Sequence, residues 1–195
     1  NRGKKIGSNL SINFAIMANN LESNPIGINA TVYKIQKRLY DKLTVLWNTE
    51  IDGYPICQSI KRDGEKQKSI EYYKGLNEYS GNLIHRERNK FFFTADNDYI
   101  QKSIDYFSTD LDLHFIVNLK QCKANNTNRA DKEVLSDVMN ILKEFEEIAL
   151  NAKIVTDLDN VFKGYTYDFK HDLQPYFCFK ITHTITDFTL NDKLC

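Results

Sequence analysis

The sequence predicts a β-rich α+β fold: an antiparallel meander or barrel-like sheet with two helices, at about 30–42 and 131–149. Three observations predict it. Turn residues recur at intervals of about ten positions between Leu43 and Cys122, the spacing of short antiparallel strands. Residues 111–119 alternate strictly between apolar and mostly polar side chains. Two segments carry apolar residues at helical spacing instead.

Residues 1–23 read as a polar, Asn-rich N-terminal arm around one short apolar run at 12–17, and residues 24–195 as a single disulfide-bonded domain. The chain starts without Met or a signal peptide, which reads as a processed form. After Pro25 and Gly27, the residues Ala30, Val32, Ile35, Leu39 and Leu43 recur on one helical face, with Asn29 placed to cap the helix. The pairs Asp52-Gly53, Asp63-Gly64, Lys74-Gly75 and Ser80-Gly81 mark tight turns around strands such as 54–60 and 68–73. In the strand at 111–119, Leu111, Leu113, Phe115, Val117 and Leu119 form a buried face, which leaves Asp112 and His114 on a wet one.

From 131 onward Val134, Leu135, Val138, Ile141, Leu142, Phe145, Ile148 and Ala149 share one side of a long amphipathic helix, with Asn128 or Asp131 as its cap. Two strand-like segments follow, at 161–170 and 175–188. The second places Phe177, Phe179, Ile181, His183 and Ile185 on one side and Cys178 on the other.

Composition narrows the function classes. Lys plus Arg equals Asp plus Glu at 26 each, so no net field draws the chain to nucleic acid or an anionic surface. No apolar run reaches the roughly 18–20 residues of a spanning helix, so membrane insertion is not expected. Walker, dinucleotide, zinc-protease and nucleophile-elbow motifs are absent from the sequence, and no two of His85, His114, His171 and His183 stand at metal-ligand spacing. The expectation is a binding protein rather than an enzyme, with no metal and no cofactor.

Four cysteines, Cys57, Cys122, Cys178 and Cys195, without a C-x-x-C, read as two disulfides. Three pairings are open to them. The one expected joins Cys57 to Cys122 and Cys178 to Cys195. Sequons at Asn9, Asn29 and Asn125 add candidate glycosylation sites, and with the cysteines they point to a secreted, extracellular protein.

The stretch Asn24-Pro25-Ile26-Gly27, the helix after it, residues 43–47 and Cys57 resembles the N-terminal part of tick salivary lipocalins. That resemblance implies a cup of strands that sequesters a small apolar or amine ligand. The aromatics Trp47, Tyr72, Phe92 and Phe115, which fall on separate predicted segments, are the candidate cavity residues. The C-terminal third, with a helix followed by Val161, Phe162, Lys163 and Gly164 and then Phe177-Cys178-Phe179, is similar to the cystatin layout. In that family a V-x-G hairpin wedges into papain-like proteases. The resemblance therefore implies an extracellular protein partner held by those four residues, and an inhibitor or immune modulator as the alternative function.

Overall fold

The computed structural model describes residues 19–84, 88–95, 99–124, 128–145, 152–167 and 174–188. They form a mixed α+β protein built on one eight-stranded sheet. In chain order the elements are α1 (Ile28–Trp47), β1 (Ile51–Ile60), β2 (Ser69–Gly75), β3 (Glu78–Asn82), β4 (Asn89–Ala95), β5 (Ile100–Gln101) and β6 (Phe107–Asn118). They continue with α2 (Leu119–Cys122), α3 (Ala130–Leu142), β7 (Lys153–Val155), α4 (Leu158–Val161) and β8 (Tyr176–Phe188). The strand order is β3-β2-β1-β4-β6-β8-β7, with β5 paired to β6.

The pairings are antiparallel except for β1 with β4, which run parallel. The sheet is open. Its end strands, β3 and β7, do not meet, so the closed cup implied by the lipocalin resemblance is not formed.

Helices α1 and α3 cover one face. The stripe Ile28, Val32, Ile35, Leu39, Leu43 and Trp47 on α1, with Val134, Val138, Ile141 and Leu142 on α3, packs on Phe91, Phe93, Leu111, Leu113, Phe115, Phe179 and Ile181. Each such side chain taken fully out of water contributes about 1.5–3 kcal/mol. Within this layer Phe115 stacks on its cross-strand neighbour Phe179, centroids 4.6 Å apart and planes within 8°.

The other face carries a second apolar cluster of Cys57, Ile70, Phe92, Ile116 and Cys178, roofed by Val161 and Phe162 at the end of α4. Both faces of the central strands are therefore covered. His114 and Phe92, on the face that alternation assigns to solvent, are as buried as Phe91 and Phe115.

The structure departs from several of the sequence-based expectations. Helix α1 runs past both expected ends, starts after Gly27 and has no side-chain cap; Asn29 lies inside it. Helix α3 starts after Arg129, again with no side-chain cap, and ends at Leu142; 146–150 lie outside the described residues. Asp52-Gly53 sits inside β1 instead of in a turn. A Cβ on Gly53 would fall 2.7 Å from Phe91 Cζ, so the glycine serves close packing. The expected strand at 161–170 is the end of α4, a turn at 162–164 and a single bridge at Tyr165; 168–170 lie outside the described residues.

The Cys57–Cys122 disulfide is also absent. Both residues are free thiols, and they belong to clusters on opposite faces of the sheet, so no bond can join them. Cys178 is buried on the same face as Cys57. Cys195, its expected partner, lies outside the described residues, as do Asn9 and Asn125.

Candidate functional site

The β2–β3 hairpin turns through two residues, Leu76 (φ 52°) and Asn77 (φ 62°), after Gly75 (φ 104°). Two positive φ values in succession are what a two-residue turn needs to match strand twist, and Asn-Gly is the sequence that meets this at least cost. Leu76 meets it poorly, because a Cβ in the left-handed region crowds its own backbone at a cost of about 1–2 kcal/mol. Its side chain gains nothing from the fold in return, being 95% exposed. The strain sits at the outermost point of the hairpin.

Below the tip, Tyr73 and Tyr79 form a cross-strand pair with ring centroids 5.3 Å apart and planes at 56°. The Asn77 backbone N–H donates to the Tyr73 hydroxyl at 3.3 Å, which ties the pair to the turn. These rings stand over an open groove of about 690 Å³ whose lining includes Ile56 and Gln58 of β1, Tyr99, and Glu22 in the segment before α1. Tyr99 begins a stretch that also exposes Ile100, Ile104 and Tyr106. Exposed apolar groups concentrated in this way mark interaction surfaces.

The far wall is held by Gln36, which is fully buried in α1. Its amide nitrogen approaches Asn19 Oδ1 at 3.0 Å and the carbonyl oxygens of Asn20 and Gly53 at 3.2 Å each. The Asn20 backbone N–H donates to Gly53 O at 2.9 Å, so this stretch is bridged to β1. Glu22, on the wall, accepts a hydrogen bond from Asn29, and burial pushes its carboxyl above the usual range. The lining contains one other charged residue, Lys74. Its ammonium lies 5.9 Å from the centroid of Tyr72, a ring of the opposite face.

The residues chosen from sequence are placed elsewhere. Trp47 is buried under α3 and donates to Asp137 at 2.8 Å, and Phe115 lies in the same helix-covered layer. Phe92 and Tyr72 are on the other face, where Tyr72 packs on Tyr54 at 5.1 Å. The four do not line a common cavity. Val161 and Phe162 are buried in the roof of that second cluster, which leaves Lys163 and Gly164 on an exposed turn; no apolar wedge protrudes there.

Two polar clusters elsewhere in the fold are closed or already paired. His114 is 1% exposed, bonded to Thr94 at 3.0 Å, and covered on both ring faces by Phe92 and Phe162, so no substrate reaches it. Beside it Asp112 accepts from Lys180 at 2.7 Å and Thr182 at 2.5 Å, an internally satisfied pair. A cleft of about 430 Å³ lies between Lys120, Lys123, Arg129 and Phe177. Lys123 is spent on Asp137 at 2.7 Å and Arg129 on Asp131 at 2.7 Å. Among the described residues no three His, Cys, Asp or Glu side chains gather as a metal site, and no helix is long and apolar enough to cross a membrane.

Sequence reasoning missed Glu22, Tyr73, Leu76, Tyr79 and Tyr99. One signal was present: a large apolar residue between Gly75 and Asn77, where a turn calls for small or polar ones. A comparison of the chain with protein-family models, curated proteins and solved structures finds no match.

Proposed function

We propose that the protein is a secreted binding module that engages an extracellular protein partner through the β2–β3 hairpin and the tyrosine groove beside it. One observation carries the reading: Leu76 is held in a costly conformation at a fully exposed tip, directly above the Tyr73–Tyr79 pair. Strain that the fold does not use is a pointer to function. Tyrosines suit the role because each offers a large rigid contact area at small entropic cost. The β3 edge is not the docking element. It is five residues long and irregular in register, features that blunt strand addition. The sequons at Asn9 and Asn125 support the extracellular setting.

The test is selection of a phage-displayed random peptide library on the immobilised protein, followed by binding measurements on a Tyr73→Ala/Tyr79→Ala variant. Peptides that bind the parent protein and lose about tenfold or more on the variant support the reading. Peptides indifferent to both tyrosines would place binding elsewhere.

A second reading, sequestration of a small ligand, rests on the groove volume of about 690 Å³, which lies in the range of small-molecule sites. Native mass spectrometry separates the two. A small molecule released on unfolding supports sequestration, and a clean polypeptide mass removes its support.

A further inference from the structure

Resting on that docking surface, we infer that the groove selects a basic residue of its partner, an extended peptide segment whose Lys or Arg seats its cation between Glu22 and the tyrosine rings. Charge complementarity carries it. Of the two charged residues in the lining, Lys74 carries its ammonium over the Tyr72 ring on the opposite face of the hairpin. Glu22 is therefore the charge the groove presents. Among the described residues it has no cation within ion-pair distance, although ion pairs satisfy acidic residues elsewhere in the protein: Glu71 with Arg62, Glu144 with Arg38, Asp137 with Lys123. Its hydrogen bond from Asn29 satisfies part of the carboxylate and leaves the charge uncompensated.

A carboxylate in a partly desolvated wall is destabilised, and an incoming cation relieves it. The rings of Tyr73, Tyr79 and Tyr99 line the same space, and aromatic faces attract ammonium and guanidinium groups. A free aliphatic side chain would satisfy the rings and leave the carboxylate unpaired. An acidic segment would meet repulsion. A basic residue flanked by apolar ones meets both needs, with the flanking groups placed to reach Ile56 and the exposed Leu76.

The experiment uses the peptides recovered in the library selection and the full chain. The expected result is enrichment of Lys or Arg next to apolar residues. The best binder, resynthesised with its basic residue replaced by norleucine, loses about tenfold, and Glu22→Gln loses a similar factor against the original peptide. Gln keeps the acceptor for Asn29, so an unchanged Tm is expected for that variant and separates loss of charge from loss of fold. Against Glu22→Gln the original and norleucine peptides bind alike. Peptides that depend on Tyr73 and Tyr79 yet show no basic residue and ignore Glu22→Gln would overturn this inference and leave the docking surface standing. Peptides indifferent to both tyrosines, or no recovered peptides at all, would overturn the surface and the inference with it.

Discussion

The imidazole of His114 lies 4.9 Å from the Phe92 ring with the two planes within 13° of parallel, and Phe162 covers its other face at 6.0 Å. A cation in this slot would have no water. Burial accordingly pushes the His114 pKa down to about 4, with the nearby Lys180 adding to the depression and Asp112 opposing it. The unfolded chain takes up this proton at about pH 6.5, while the folded chain resists it until about pH 4. Between those values the unfolded state binds more protons, so the contribution to stability is complete above about pH 6.5 and is lost as the pH falls toward 4. At pH 5 the loss from this one group is about 2 kcal/mol relative to pH 7.5. Denaturant unfolding at the two pH values measures it. His114→Phe removes the titration, so its stability should fall less over that interval than the parent's. Equal losses would show that His114 is not the group responsible. Glu71, Asp131 and Glu144, whose carboxyls are held below their usual range by Arg62, Arg129 and Arg38, lose their stabilisation only at lower pH.

Leu76 separates stability from binding. Replacing it by Asn, which tolerates positive φ, should stabilise the hairpin by about 0.5–1 kcal/mol because no buried contact is lost. The same change should weaken the peptides selected on the groove. Thermal unfolding and binding titrations of Leu76→Asn read both effects. A variant that is more stable and binds as well as the parent would show that Leu76 is no anchor.

Helix α1 and strand β6 were legible because each carries an unbroken period: Val32, Ile35, Leu39 and Leu43 in one, Leu111, Leu113, Phe115 and Val117 in the other. Periodicity states which side chains share a face and says nothing about what covers the second face. Asp112 and His114 therefore read as wet. The cover comes from Phe162, about fifty residues later in sequence, in a segment whose Val-Phe-Lys-Gly-Tyr composition suits a strand as well as a helix end. The aromatic cavity candidates failed to converge for the same reason: Phe92 and Phe115 point to opposite sides of a sheet that is filled on both. The groove itself was illegible because it needs the 20–23 segment, β1, the hairpin and Tyr99 together. Only the unusual turn residue Leu76 left a local trace.

Gly53 tests the packing that supports that groove. Its φ is not among the positive ones, so an alanine there meets no backbone strain, but its Cβ would fall 2.7 Å from the Phe91 ring and 3.1 Å from Asn19 Oδ1. Phe91 is fully buried and has no free direction in which to move. Gly53→Ala should therefore destabilise by about 1–3 kcal/mol, as overpacking does in a filled interior. Because Gly53 O also accepts from Asn20 and Gln36, the displacement should reach the groove wall and weaken peptide binding beyond the loss of stability. A melting temperature unchanged from the parent would show that the β1–β4 contact is looser than these distances imply.

The thiols give the most direct test of the two-faced core. Cys57 lies in the cluster under α4, where its Sγ–H donates to Pro55 O at 3.3 Å, and Cys122 lies in the layer beneath α1 and α3. Burial pushes the Cys57 thiol strongly upward and the Cys122 thiol up to about 12. Alkylation requires the thiolate and access to it, and both are denied in the native state. With iodoacetamide at pH 8 and no reductant, peptide mapping should find Cys57 and Cys122 unmodified in the folded protein. After unfolding in denaturant, still without reductant, both should be fully alkylated, since no disulfide has to be opened first. A crosslinked peptide containing Cys57 and Cys122 in the non-reducing digest would contradict the arrangement outright, because Cys57 packs in the cluster on one side of the sheet and Cys122 in the layer on the other, and they could be joined only by a different fold.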